Sequence, residues 1–139
     1  MADQKLLNIL NESIAREMAV SIQYMWQHVM AIGPESAEIS EIFKKTAITE
    51  MKHAEKFAER LDYLGGVPTI KPTPIVQGGD IRKMLKDDIA AEKEAIALYK
   101  EAIKLCIGLG DPVSRLLYEE ILTDEEDHDY TFSTLLGKK

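Results

Sequence analysis

Apolar residues recur along four stretches of the chain at steps of three and four, the spacing of helices that bury one face. The first seam carries Leu6, Leu10, Ile14, Glu17, Ser21 and Tyr24, and the second Ile39, Phe43, Thr46, Glu50, His53, Phe57, Leu61 and Leu64. The third carries Ile81, Leu85, Ile89, Glu92, Ile96, Tyr99, Ile103 and Cys106, and the fourth Leu117, Ile121, Glu125, His128, Phe132 and Leu135. Helix breakers fall between these stretches. All five prolines and eight glycines lie outside residues 1–32, 35–64, 80–107 and 113–136, and inside a helix Gly costs about 1 and Pro about 3 kcal/mol. The pattern predicts helices over about 4–32, 35–64, 80–107 and 112–136, with Asp3, Asp80 and Asp111 as N-caps, Pro112 in a first turn, and Gly33, Gly65 and Gly108 closing helix ends.

Residues 33–35 and 108–111 are short connections, so each pair of flanking helices is expected to form an antiparallel hairpin. The middle connection, 65–79 (GGVPTIKPTPIVQGG), is long for neighbouring helices. At ~3.3 Å per residue it reaches ~50 Å, about the length of a 30-residue helix, and so can cross the whole bundle. The expected architecture is an all-α four-helix bundle of two antiparallel hairpins joined by a long crossover, forming one domain over 1–139.

The seams contain an anomaly. Glu17, Glu50, Glu92 and Glu125, with His53 and His128, occupy core-register positions, where an ionised carboxylate costs several kcal/mol unless it is paired or binds metal. Glu17 and Glu50 are 33 residues apart, and so are Glu92 and Glu125. Glu50 and Glu125 are each followed three residues on by His, giving Glu50-x-x-His53 and Glu125-x-x-His128. An offset of 75 superposes one half on the other, including Tyr24 on Tyr99, Ile14 on Ile89, Phe57 on Phe132 and Leu61 on Leu136. The chain is an internal duplication of a helical hairpin.

The midpoint of each Glu pair falls in its own turn, at Gly33–Pro34 and Gly108–Leu109, so the two carboxylates of a hairpin lie level. A Glu and a His three apart share a helix face. Two such hairpins facing each other place four carboxylates and two imidazoles in one layer, whose −4 charge two divalent cations neutralise. Mixed oxygen and nitrogen donors suit iron, manganese, cobalt or zinc, and exclude a site built for magnesium or calcium. One Glu-x-x-His among fifteen Glu means little, but two, among only three His, at matched spacing are a specific signal. Tyrosine in a helical seam is usually core, His28 lacks a Glu three residues before it, and Cys106 reads as a small core residue.

The first helix has a second apolar face, Met18, Ile22, Met25 and Val29, with Trp26 and Met30 beside it. A lone bundle buries one stripe per helix, so this face implies another subunit or a ligand. Met51 follows Glu50 directly and points about 100° away from the metal seam. It reads either as part of a methionine-rich interface or as a thioether for haem.

Acids outnumber bases 24 to 17, and the formal charge of −7 argues against nucleic acid and anionic membranes as partners. A single cysteine excludes an internal disulfide and a thiolate zinc site. With no signal-peptide pattern in MADQKLLNIL and no apolar run of about 18 residues, a cytoplasmic location is expected.

At ARE17MAVSIQY24, ITE50MKH53AE, DDIAAE92 and ILTDE125EDH128 the sequence resembles the ferritin-like di-iron carboxylate family, and within it the bacterioferritins, over about residues 5–136. The resemblance implies Glu17 and Glu92 as terminal ligands, Glu50 and Glu125 as bridging ligands, and His53 and His128 as one nitrogen for each iron. It implies two irons per subunit and a ferroxidase that oxidises Fe(II) with O2 or H2O2 for storage or detoxification. Tyr24 or Tyr99 would bond a ligand or supply an electron, and Asp88 and Asp124 are candidate acceptors for the histidines. Met51 falls at the haem methionine, with haem b shared between subunits of a homo-oligomer, a dimer or a cage.

Two departures stand out. Bacterioferritins continue into a short fifth helix beyond the position of Gly137-Lys138-Lys139, and an inner-surface iron site of some members has His and Asp where this sequence has Lys45 and Thr49. The rival readings are a non-storage di-iron oxidase or peroxidase of the rubrerythrin kind, a haem-binding dimer with a structural metal site, and a pure interaction bundle.

Overall fold

The computed structural model describes residues 2–138; of the domain expected over 1–139, Met1 and Lys139 lie outside the described residues. Four helices follow one another: α1 (Gln4–Met30), α2 (Ser36–Tyr63), α3 (Ile81–Leu109) and α4 (Pro112–Leu136), with no strand among the described residues. Three starts are capped by aspartate. Asp3 accepts from the Lys5 amide at 2.8 Å, Asp80 from the Lys83 amide at 2.8 Å and Asp111 from the Ser114 amide at 3.0 Å, each satisfying an amide with no partner inside its helix. Pro112 opens α4 where a missing N–H costs nothing. α2 has no side-chain cap at Glu35.

Two ends differ from the pattern. α1 stops at Met30, because Ala31 turns extended at φ −63° and ψ 130°. α3 runs through Gly108 to Leu109, and its left-handed closing residue is Gly110 at φ 68°, whose amide bonds back to Cys106 and Ile107. Of these two glycines, Gly108 is tolerated inside the last turn, and Gly110 is the one that takes the positive φ that glycine adopts freely.

α1 packs on α2 and α3 on α4, as two antiparallel hairpins. The crossover lies along α1. Asn11 holds it at Val67 and Thr69, with bonds of 3.0 and 2.8 Å, the Thr73 amide donates to Ala15 O at 3.2 Å, and the Val76 amide to Gln23 at 3.1 Å. It thus climbs α1 from its first turns towards its end and delivers α3 antiparallel to α1. The hairpins are thereby related by a pseudo-twofold axis across the bundle.

The core has two apolar clusters. One gathers Leu10, Ile14, Phe57, Leu61, Tyr99 and Tyr118, and the other Val20, Tyr24, Phe43, Met84, Leu85 and Phe132. Each fully buried aliphatic or aromatic side chain contributes about 1.5–3 kcal/mol, which offsets the polar layer set between the clusters. No helix is long and apolar enough to cross a membrane.

Candidate metal centre

The polar layer is built from all four helices: Glu17 on α1, Glu50 and His53 on α2, Glu92 on α3, and Glu125 and His128 on α4. The level pairing within each hairpin brings all six together. Their donor atoms form two overlapping sets, Glu17–Glu50–His53–Glu125 and Glu50–Glu92–Glu125–His128, with the atoms of each set within 4.8 Å of one another. Glu50 and Glu125 belong to both. The two imidazoles stack with centroids 6.3 Å apart.

Each histidine turns Nδ1 inward. His53 Nδ1 lies 3.0 Å from Glu50, 3.4 Å from Glu17 and 3.4 Å from Glu125. His128 Nδ1 lies 3.3 Å from Glu125, 3.5 Å from Glu50 and 3.7 Å from Glu92. These approaches are too poorly aligned to be hydrogen bonds, and both Nδ1 atoms, both Glu50 oxygens and one oxygen each of Glu17, Glu92 and Glu125 are buried without a partner among the described residues. Orphaned donors on this scale are rare in folded proteins. Hard oxygens and imidazole nitrogens converging on two shared points fit two transition-metal ions.

The electrostatics of the metal-free layer tell the same story. Burial, then the charge of Glu125, raises Glu17, and burial, then Glu17 and Glu125, raises Glu50 well above the usual carboxylate range. Burial, then Glu125, lifts Glu92 to about 7. Glu125 goes the other way, to about 2: burial opposes ionisation, but His128, His53 and Glu50 stabilise its charge. Burial also opposes charge on the histidines, yet Glu125 with Glu17 lifts His53, and Glu125 with Glu92 lifts His128, each to about 10. Burial and mutual charge thus favour proton retention on Glu17, Glu50, Glu92 and both histidines, and proton loss from Glu125.

Around it, hydrogen bonds cross between hairpins. Tyr24 OH donates to Glu92 Oε1 at 2.6 Å and Tyr99 OH to Glu17 Oε1 at 2.7 Å. His53 Nε2 bonds Asp124 Oδ2 at 2.8 Å, the outer carboxylate that fixes a ring whose other nitrogen faces inward. Asp88 does not serve a histidine: its Oδ1 accepts from Gln23 at 3.0 Å and Gln27 at 2.7 Å. It lies on the α1-facing side of α3 and bonds these two glutamines of α1. The pseudo-twofold mate of Asp124 is Thr49, whose hydroxyl donates to Lys45 O at 3.1 Å. The His53 side chain is 2 % exposed and that of His128 13 %.

Other residues fall away from the layer. His28 Nδ1 meets Ser40 O at 2.8 Å in the α1–α2 hairpin, and Cys106 is buried in the apolar core. Met51, 49 % exposed, stands in an apolar groove of about 710 Å³ between α1 and α2, beside Met18, Ile22, Met25, Trp26 and Ile48. Two buried residues were not anticipated from the sequence. Arg16 sends a guanidinium nitrogen to the carbonyl of Ala91 and sets a positive charge near Tyr99, Glu17, Tyr24 and Glu92. Tyr118 packs on Phe57 and Tyr99 and bonds Ser13 at 2.8 Å. Tyr118 lies three residues before Ile121 on the α4 seam and was legible there; Arg16, one residue off the seam, carried no signal.

A family model described as the ferritin-like domain matches residues 7–139. A bacterioferritin from Desulfovibrio desulfuricans is 36% identical over 125 residues, covering 89% of this chain and 70% of that protein. A solved D. desulfuricans bacterioferritin, described with its diiron site in different catalytic states, superposes with a TM-score of 0.91 at 32% identity, over 96% of this chain and 79% of that one. A bacterioferritin from Rhodobacter capsulatus is 35% identical over 130 residues, covering 91% of this chain and 79% of that protein. A solved R. capsulatus bacterioferritin, with a metal-free dinuclear site and haem iron in a crystallographic special position, gives a TM-score of 0.88 at 31% identity, over 98% and 86% of the two chains. A ferritin-like, diiron-carboxylate protein from Bacillus anthracis gives a TM-score of 0.94 at 28% identity, over 98% and 99% of the two chains.

Proposed function

Since this chain belongs to the ferritin-like family, we propose that it is a ferroxidase that takes Fe(II) as substrate, oxidises it to Fe(III) with O2 or peroxide, and so serves iron storage or detoxification. The observation that carries the proposal is the pair of overlapping donor sets sharing Glu50 and Glu125. Glu17 and His53 would hold one iron, Glu92 and His128 the other, and Glu50 and Glu125 would bridge them. Two ferrous ions cancel the −4 charge of the carboxylates, and carboxylates that shift between one and two oxygens can follow the gain of charge on oxidation. Tyr24 and Tyr99 hold the terminal carboxylates in place, and Asp124 holds the His53 ring.

Oxidation kinetics test this directly. The Glu50→Ala protein, mixed with Fe(II) and then O2, is expected to show only the background rate of ferric absorbance; the wild-type rate in that variant would refute the assignment.

The groove at Met51 supports a second component of the reading. An exposed thioether on an apolar wall suits an axial sulfur for haem b, and the bound haem would supply a one-electron carrier at the surface. A second copy of the chain laid against the same face would cover the groove and present its own Met51. Reconstitution with haem should give a Soret band in a dimer or larger assembly. Met51→Leu should abolish the band while leaving Fe(II) oxidation by the centre in place.

A further inference from the structure

The two halves of the polar layer follow one plan, yet they differ at the back of their imidazoles. His53 turns Nδ1 to the glutamates and bonds Asp124 Oδ2 through Nε2 at 2.8 Å. The 75-residue offset maps His53 onto His128 and Asp124 onto Thr49, so the other half has a hydroxyl where the first has a carboxylate. That hydroxyl gives its proton to Lys45 O at 3.1 Å, inside its own helix. His128 meets Glu50, Glu92 and Glu125, each time through Nδ1, and its chain neighbour Asp127 is not among these ion-pair partners.

His128 borders instead a cleft of about 220 Å³ between α2 and α4, lined also by Lys45, Thr46, Thr49, Asp127 and Thr131. Lys45 and Asp127 carry opposite charges there, so the cleft as a whole does not replace the missing carboxylate. This difference matters to a metal ion. A carboxylate on Nε2 keeps the ring proton there, leaves the Nδ1 lone pair facing inward and fixes the plane of the ring. An imidazole without that partner can carry its proton on Nδ1 and can turn, and both must be reversed before it binds. Loss of such an outer partner typically costs about 10–100-fold in metal affinity.

We propose that Asp124 and Thr49 make the two metal positions unequal. The ion at Glu17 and His53 binds first and tightly. The ion at Glu92 and His128 binds second, more weakly by about 10–100-fold, and is the one exchanged with solution. The inference rests on the two-ion reading of the centre. Asp124 acts through His53 and is a positioning residue, and Thr49 marks the place where its counterpart is missing. Because Glu50 and Glu125 serve both positions, the first ion also takes carboxylate charge away from the second. A gap between the two binding steps therefore has two sources, and substitutions at positions 49 and 124 separate them.

The test is equilibrium dialysis of the chelator-treated full chain against Zn(II), a redox-inert probe, with a competing chelator to set the free ion. Wild type should take up two ions per chain in two resolved steps. Thr49→Asp should strengthen the second step by about 10–100-fold and leave the first in place, and Asp124→Asn should weaken the first by a similar factor. Both substitutions fall outside the two apolar clusters, and each tests the proposal without the other. A second step unmoved in Thr49→Asp, or a first step unmoved in Asp124→Asn, would overturn the proposal while leaving a two-ion centre. A wild-type total other than two ions per chain would overturn the two-ion reading itself.

Discussion

Glu50 is the carboxylate of the polar layer with both oxygens buried and without a partner among the described residues, and the charges of Glu17, Glu125 and Glu92 bear on it. Burying such a group costs several kcal/mol after relaxation. Glu50→Gln should therefore raise the melting temperature of the metal-free protein at neutral pH while abolishing rapid Fe(II) oxidation, the trade expected where a site is kept at the cost of stability. Thermal circular dichroism on chelator-treated protein reads the first effect. A lower melting temperature would mean that Glu50 stabilises the fold by some other means.

The same residues set a pH dependence. Glu17, Glu50, Glu92, His53 and His128 all hold their protons more tightly folded than unfolded. The stability they contribute is thus complete below their ordinary values. It is lost as pH rises through the folded ones, about 7 for Glu92 and about 10 for both histidines. Glu125 runs oppositely: its contribution is present above its ordinary 4.5 and lost as pH falls towards about 2. Metal-free protein should melt at progressively lower temperature from mildly acidic to alkaline pH. Metal displaces the protons, so the melting-temperature gain from Fe(II), or from Zn(II) as a redox-inert probe, should grow over that range. A gain independent of pH would contradict this assignment of charges.

At the scale of the helices, the most heavily used cap is Asp111. It accepts from the Ser114 amide at 3.0 Å and the Ser114 hydroxyl at 2.7 Å, and pairs with Arg60 of α2 at 3.0 and 3.1 Å. It therefore fastens the start of α4 to the end of α2 as well as capping a helix. Asp111→Ala should cost about 1–2 kcal/mol by urea unfolding, with the metal stoichiometry unchanged; a loss of metal would mean that the cap also aligns the site. Helix starts were legible because Asp before a polar-apolar repeat, with Pro112 behind it, has few other uses. Helix ends were less so: Gly108 and Gly110 are two residues apart, and only the backbone decides which turns left-handed.

The site divides along similar lines. The six positions of the polar layer, proposed as ligands, were legible because burying Glu and His in an apolar seam needs a reason, and because the duplication stated it twice. The outer shell was not. Asp88 and Asp124 are each adjacent to or near a site helix turn, yet one faces two glutamines and the other a histidine. Which way each points depends on how far the hairpins are rotated against one another, and no spacing within a helix encodes that rotation.

For the molecule as a whole, the crossover is what makes the centre symmetric. By climbing α1 it sets α3 antiparallel to α1, so that the two hairpins meet face to face and their glutamates fall in one layer. It also leaves the α1–α2 face with Met51 and Trp26 half exposed, a surface that a second copy is proposed to cover. Met25→Glu on that face should shift sedimentation towards a smaller species and leave the di-metal stoichiometry unchanged; an unaltered assembly would place the interface elsewhere. The acidic count takes on a different meaning as well. Of the formal −7, the four interior glutamates account for −4, so with two divalent ions bound the chain behaves as if nearer to −3.

The central claim is that one chain holds two ferrous ions between shared carboxylates. Anaerobic Fe(II) titration of chelator-treated protein, followed by equilibrium dialysis, measures it directly. Two ions per chain in wild type, with both lost in Glu50→Ala, is the predicted result. One ion or none per chain, or two that persist in Glu50→Ala, would contradict it.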